Sequence, residues 1–261
     1  MNNDSALLQS LIYSAQRAGG AIMAVYATDF SVQAKADTSP VTVADEAAEK
    51  IILADLAKLA PSTPVVAEEA VSAGTVPIVA DRFFLVDPLD GTKEFIGRRD
   101  EFTVNIALIE AGQPVMGVVF APARHELYWG DVRAGKAGRI DADPDGTMPS
   151  MGTAISARRP PAEGLVAVAS RSHRTPETDT FLANYPVKEF RSIGSSLKFC
   201  LVASGEADIY PRLGTTMEWD TAAGHAVLAA AGGRVTNLEG GPFTYGKPAF
   251  RNGHFVAWGR S

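Results

Sequence analysis

The chain has a single cysteine, Cys200, in 261 residues. No internal disulfide can form, and a reducing compartment suits it. Cys200 lies in the apolar helical pattern LKFCLVASG, so packing accounts for it better than catalysis does. No apolar run reaches the roughly 18 residues that a spanning helix needs. The opening MNNDSALLQS lacks a basic stretch followed by an apolar one, so no secretory leader is expected and the expected location is cytoplasmic. Peripheral membrane attachment and oligomeric state stay open. Lys/Arg runs are also missing and the formal net charge is −6, which argues against a nucleic-acid or anionic-membrane surface. An anionic substrate would therefore need a metal or a local basic pocket. There is no internal repeat and no long low-complexity segment. The paired glycines at 19–20, 232–233 and 240–241 do not make a dinucleotide fingerprint, and caps and turns explain them.

What is present is ample core-forming material, 46% hydrophobic, enough for one large domain or two small ones. Leu7, Leu8, Leu11, Ile12, Ala15, Ala18, Ile22 and Met23 recur at three- and four-residue spacings, which predicts an amphipathic helix over 6–26. A second helix is predicted over 42–59, with Thr42 as N-cap and Asp45 at its third position. Short strands follow at 65–68, 83–87, 103–110, 115–121 and 126–130, with a hairpin turn at Gly112-Gln113. The Gly-, Asp- and Pro-rich stretch 133–149 is the expected subdomain boundary. Beyond it, strands at 164–169, 187–192, 207–210, 233–236 and 254–257 alternate with helices near 177–184, 195–204 and 220–231. The reading is an α+β half over 1–145 and an α/β half over 146–261 with a mixed or parallel sheet.

The run FFLVDPLDGTKEF sets two carboxylates, Asp87 and Asp90, at the mouth of an apolar strand. Pro88 pre-sets φ for a β-turn that would bring them together, where they could share a cation. At about 4 Å and an effective dielectric near 20, two such charges repel by about 4 kcal/mol unless one takes a proton or a divalent ion intervenes. An all-oxygen ligand set suits Mg²⁺ or Mn²⁺. Gly91 and Thr92 supply backbone N–H groups for a phosphate oxygen. The pair could equally be an Asx-type turn. Other carboxylates stand at element ends: Asp45 in TVADEAAE, Glu68-Glu69 in VVAEEA, and Asp220 in TMEWDTAAGH. Each alone also reads as a helix cap or a solvated loop acid.

Taken together, VVAEE, VDPLDGTKEF and EWDTAAGHAVLAAAGG resemble the signatures of the lithium-sensitive, magnesium-dependent inositol monophosphatase superfamily, in order from about Lys35 to Gly233. Within it, DPLDGTKEF, GSSLKFCLVASGEADIYPR and WDTAAGHAVL look most like the bacterial 3′(2′),5′-bisphosphate nucleotidases, whose substrate is 3′-phosphoadenosine 5′-phosphate. The resemblance implies a layered α/β/α/β/α sandwich of the sugar-phosphatase type with the site in the cleft between halves. It implies one Mg²⁺ on Glu68, Asp87 and the Leu89 carbonyl, and a second on Asp87, Asp90 and Asp220. Thr92, backed by Glu68 or Asp45, would orient the attacking water. Asp45 would also serve a third, weakly held ion, and the segment 35–42 would be a mobile cover. Glu68, Leu89, Asp90, Gly91, Thr92 and Asp220 would together border the reacting phosphate. Lys93 and Glu94 are expected to face solvent.

Substrate choice rests on His173, Ser195, Lys198 and Arg212, which match the nucleotidase pattern. A lysine and an arginine could hold a second phosphate, which an inositol monophosphate lacks. Taken by themselves, Lys198 reads equally as a helix-face residue, Arg212 as a surface residue and His173 as an exposed loop histidine. Glu218 adds an acid beside Trp219-Asp220 with no assigned role, and Ala67 replaces a glycine found in some relatives. Trp129, Trp219, Trp258 and His225 read as packing residues. The expected activity is Mg²⁺-dependent hydrolysis of the 3′-phosphate of 3′-phosphoadenosine 5′-phosphate or its 5′-phosphosulfate form. An inositol-phosphate or sugar-phosphate phosphatase, or a catalytically silent phosphonucleotide binder, are the rivals.

Overall fold

The computed structural model describes residues 3–34, 40–147, 150–170 and 175–261. The apolar spacing near the start forms helix α1 (Asn3–Tyr26), which buries Leu8, Leu11, Ile12, Ala15, Ala18 and Ile22. After a short antiparallel pair, β1 (Gln33–Ala34) and β2 (Pro40–Val41), comes α2 (Val43–Leu59). Its predicted cap is present as a reciprocal capping box between Thr42 and Asp45. Both helices lie on one face of the first sheet, where they bury Ile52 and Leu56 along with the α1 residues.

That sheet begins with β3 (Val65–Ala67), a five-residue helix α3 (Glu68–Ser72), β4 (Arg82–Asp90) and a second five-residue helix α4 (Thr92–Ile96). It continues through β5 (Thr103–Glu110), β6 (Gln113–Ala121), β7 (Glu126–Asp131), β8 (Lys136–Asp141) and β9 (Thr153–Ala154). The seven strands run in sequence order, parallel between β3 and β4 and antiparallel thereafter. Both faces are covered, so alternate residues serve different cores: Phe84 and Val86 face α1 and α2, whereas Phe83 and Leu85 face the opposite side.

The second sheet is built from β10 (Leu165–Ala169), helix α5 (Pro176–Leu182), β11 (Val187–Ser192), helix α6 (Leu197–Ala203) and β12 (Ile209–Arg212). The short β13 (Thr216–Met217) precedes α7 (Ala222–Ala230), and β14 (Arg234–Thr236), β15 (Arg251–Asn252) and β16 (Phe255–Trp258) complete the chain. The strand order is β11-β10-β12-β16-β14, a mixed sheet, with β13 and β15 paired separately. Helices α6 and α7 lie between the two sheets. Cys200, Phe199, Ala223 and Val227 share one core with Leu85, Ile109, Tyr210 and Phe255. Helix α5 covers the far face of the second sheet through Leu182. The layers are therefore α/β/α/β/α.

Glycines set the spacing of the central layer. A Cβ at Gly117 of β6 would lie 2.5 Å from the Ala223 carbonyl oxygen, and one at Gly130 of β7 would lie 2.7 Å from that of Ala226. Only glycine lets α7, and the Asp220 before it, sit this close to the first sheet.

Several expectations need correction. The run 87–90 is no β-turn: β4 continues through it, and its register against β5 slips between Asp87 and Asp90, a bulge that sets Asp87 opposite Asn105 and Asp90 opposite Thr103. The strand expected to end at Glu68 ends at Ala67, and Glu68 opens α3. The hairpin turn is Ala111-Gly112, both with positive φ, one residue earlier than predicted. The stretch 133–149, expected to be irregular, contains β8, paired along its length with β7.

Candidate active site

Four carboxylates lie near enough to bear on one another's charge. The β4 bulge supplies Asp87 and Asp90, the first residue of α3 supplies Glu68, and the turn before α7 supplies Asp220. Asp87 is fully buried, and the Leu89 N–H donates to its Oδ1 at 3.0 Å. Burial, and after it the charges of Glu68, Asp90 and Asp220, push the Asp87 carboxyl well above the ordinary carboxylate range. Asp220 is raised likewise by burial and then by Asp90 and Glu68, although its Oδ2 accepts the Met217 N–H at 2.8 Å. Asp90 is pushed up to about 6 by burial, with the Lys198 ammonium opposing the shift. Glu68 bears on all three aspartates, and Asp90 on both Asp87 and Asp220, so the carboxylates act as one electrostatic cluster.

Among the described residues no three His, Cys, Asp or Glu side chains are already gathered as a metal-holding group. Mutual repulsion of about 4 kcal/mol per pair at 4 Å opposes such gathering. The donor chemistry nevertheless fits a hard divalent cation. Every group is an oxygen, the Leu89 carbonyl adds a neutral one, and a double positive charge would relieve the repulsion that raises the three aspartates.

Beside the carboxylates, Thr92 Oγ1 lies 3.3 Å from both Asp45 Oδ1 and the Leu89 carbonyl oxygen. Asp45 is buried, and its other oxygen accepts the Thr42 N–H and hydroxyl at 2.8 Å. Gly91, with φ of 93°, turns the chain from the strand into α4, which only glycine does without strain.

The cleft holds about 290 Å³ and is bordered by Glu68, Asp90, Gly91, Thr92 and Asp220 together with Ser195, Lys198 and Arg212. Lys198 is no solvent-facing helix lysine. It is 4% exposed, and its ammonium donates to the carbonyls of Ser195 and Ile193 and lies 5.3 Å from the Tyr210 ring centroid. Burial pushes its pKa down to about 8, while Asp90 opposes that shift. Arg212 is half-buried, donating to the Thr215 carbonyl at 3.3 Å. Its Nε and the buried Ser195 hydroxyl have no partner among the described residues. His173 and residues 35–39 of the expected cover lie outside the described residues.

Lys93 is exposed as expected, but Glu94 is buried at 6% and faces the cleft, contrary to expectation. One turn of α4 is too short for its second and third residues both to reach water once Phe95 is anchored in the core. Glu218 is fully buried and turns to the 246–247 backbone. It accepts the Gly246 and Lys247 N–H groups at 2.8 and 2.9 Å and pairs with the Lys247 ammonium at 2.8 Å. Its work is to anchor the turn that carries Asp220. Glu49, which the sequence reading overlooked, does the same for Glu68: its two oxygens accept the N–H groups of Glu69 and Ala70 at 2.8 and 2.9 Å. The signal was its place one turn after Asp45 on the buried face of α2. Trp129, with Nε1 donating to the Met151 carbonyl, and His225, buried against Tyr245, are packing residues as expected.

A sequence profile of the inositol monophosphatase family matches residues 4–257. The 3′(2′),5′-bisphosphate nucleotidase CysQ of Escherichia coli K12 is 46% identical over 92% of this chain and 94% of its own length. That of Buchnera aphidicola is 37% identical over 96% and 93%. Among solved structures, CysQ from Bacteroides thetaiotaomicron, described as a bacterial member of the inositol monophosphatase family, superposes with a TM-score of 0.80 at 38% identity, covering 98% of each chain. The inositol monophosphatase of Anabaena gives 0.76 at 26% identity, covering 100% of this chain and 93% of its own. With nearly its whole length matched, the chain belongs to the inositol monophosphatase family.

Proposed function

We propose that this chain is a phosphoric monoester hydrolase, a 3′(2′),5′-bisphosphate nucleotidase that removes the 3′-phosphate of 3′-phosphoadenosine 5′-phosphate. One observation carries the reading: a single cleft is lined both by the carboxylates Glu68, Asp90 and Asp220 and by the cations Lys198 and Arg212. A substrate with two phosphates uses both kinds of group. An inositol monophosphate would leave the Arg212 Nε and the Ser195 hydroxyl unanswered, and unpaired buried donors cost about 1–3 kcal/mol each. Similarity to the CysQ nucleotidases supports the same reading.

Glu68, Asp87, the Leu89 carbonyl, Asp90 and Asp220 would hold two Mg²⁺, with Asp45 beside a third and Mn²⁺ as a substitute. When bound, the metal lowers the pKa of water and neutralises charge on the leaving oxygen. The protein's own part is orientation. The water donates a hydrogen bond to Thr92 Oγ1, whose own proton has Asp45 and the Leu89 carbonyl as acceptors. The N–H groups of Gly91 and Thr92 at the start of α4 take phosphate oxygens. Arg212, Ser195 and Lys198 bind the 5′-phosphate, with His173 beside the nucleotide. The half over 1–145 thus carries most of the metal chemistry and the half over 146–261 most of the substrate choice. No helix among the described residues is long and apolar enough to cross a membrane, and a cytoplasmic location goes with the reading.

The test is phosphate release with Mg²⁺ from 3′-phosphoadenosine 5′-phosphate, inositol 1-phosphate and fructose 1,6-bisphosphate in parallel. The nucleotide should lead in kcat/KM by about tenfold or more, worth about 1.4 kcal/mol. A lead by either other substrate would overturn the specificity reading, and no release from any would favour a silent binder.

A further inference from the structure

Three buried polar side chains outside the carboxylate cluster close a hydrogen-bonded ring. Asn105 Nδ2 donates to Thr103 Oγ1 at 3.4 Å, the Thr103 and Ser196 hydroxyls lie 2.8 Å apart, and Ser196 Oγ donates to Asn105 Oδ1 at 2.6 Å. Since the Ser196 proton goes to Asn105, the hydroxyl proton between Thr103 and Ser196 comes from Thr103, so each member of the ring both donates and accepts. All three residues are at most 2% exposed, where a closed ring is strong and a broken one is costly.

The ring's placement gives it a purpose. Asn105 and Thr103 are the cross-strand partners of Asp87 and Asp90. Ser196 belongs to the segment that presents Ser195 and Lys198 to the cleft. Two residues before Thr103, on the same face of the chain, Glu101 accepts the Gly194 N–H at 2.9 Å. The start of β5 and the residues just before it thus grip the 194–196 segment repeatedly. The segment needs gripping, because Ser195 has φ of 47°, a left-handed conformation that a residue with a side chain adopts at a cost.

We infer that Thr103, Asn105 and Ser196 are positioning residues for substrate choice: their ring sets the Ser195–Lys198 segment at a fixed distance from Asp87 and Asp90, and so measures the separation between the two phosphates of the substrate. The inference deepens the nucleotidase reading and rests on it for the identity of the substrate. Thr103 and Asn105 stand outside the cleft's lining, and Ser196 borders it beside Ser195 and Lys198.

The experiment compares the Mg²⁺-loaded wild type with Thr103→Val, Thr103→Ser, Ser196→Ala and the double variant Thr103→Val/Ser196→Ala. The kcat/KM ratio of 3′-phosphoadenosine 5′-phosphate to adenosine 3′-monophosphate is measured beside hydrogen exchange of the 193–199 amides. Thr103→Val should cut the ratio by about fivefold through KM for the bisphosphate, as expected for one net hydrogen bond. Thr103→Ser should restore it, the double variant should be no worse than either single one, and exchange should quicken at 193–199 while the β4 to β6 amides hold. Unchanged exchange at 193–199, equal losses on both substrates, or additive losses would each overturn the inference. If the wild type shows no preference for the bisphosphate while Thr103→Val still loosens 193–199, the positioning link stands and the nucleotidase reading is what fails. Should Thr103→Val not fold, Ser196→Ala alone carries both readouts.

Discussion

Thr92 Oγ1 lies 3.3 Å from Asp45 Oδ1, joining the first residue of α4 to the first turn of α2 across the edge of the carboxylate cluster. The Leu89 carbonyl is equally near, so the Thr92 proton points toward one of these two acceptors and its lone pairs stay available to accept. Thr92→Ala should lower kcat by at least about 10²-fold with little change in KM, the scale of a lost proton-handling group. Thr92→Ser should keep most activity. Steady-state kinetics decide it, and a loss confined to KM would contradict the water-orienting role.

Asp90→Asn removes one charge from a cluster that faces Glu68 and Asp220. Turnover should fall by at least roughly 10²-fold. The Mg²⁺ concentration for half-maximal activity should rise. A magnesium titration of wild type and variant reads both, and near wild-type turnover would sink the metal assignment.

Glu218 should matter for stability rather than chemistry. Glu218→Ala strands the Gly246 and Lys247 N–H groups, at a cost of about 1–3 kcal/mol, whereas the partly exposed Lys247 ammonium keeps the Thr244 carbonyl. Urea unfolding measures it. A loss under about 1 kcal/mol would mean that water replaces the carboxylate.

His225 gives the fold a defined acid sensitivity. Burial, and then the Lys247 ammonium, push its pKa down to about 3, against about 6.5 in an unfolded chain. Below pH 6.5 the unfolded state binds a proton that the native state refuses, so stability is full above that pH and is lost as pH falls toward 3, by up to about 1.4 kcal/mol per unit. His225→Gln should remove this slope. Urea midpoints at pH 7 and pH 5 for both proteins check it, and parallel pH profiles would contradict it.

The parts of this molecule legible in its sequence are those whose signal is local. Helical spacing gave α1 and α2, the Thr42-to-Asp45 separation gave the capping box, and the DPLDGT and WDTAAG runs gave the carboxylates. What stayed hidden depends on cross-strand partners. Pro88 suggested a turn, but pairing with β5 holds the chain extended and converts the extra residue into a bulge. Glu94 read as a surface acid and Glu218 as an acid without a role until their burial appears. The alternation of Glu101, Thr103 and Asn105 with Phe102 and Val104 was visible, yet its partner segment lies about 90 residues away, beyond the reach of periodicity.

The central claim is that Arg212 and Lys198 read a second phosphate while the carboxylates work on the first. Its most direct test is kcat/KM for 3′-phosphoadenosine 5′-phosphate and for adenosine 3′-monophosphate, in wild type and Arg212→Ala. Wild type should prefer the bisphosphate by about tenfold or more, and Arg212→Ala should erase most of that preference while keeping activity on the monophosphate, as expected for a charge-assisted contact of about 1.5–3 kcal/mol. Equal losses on both substrates, or a preference untouched by the substitution, would contradict the account.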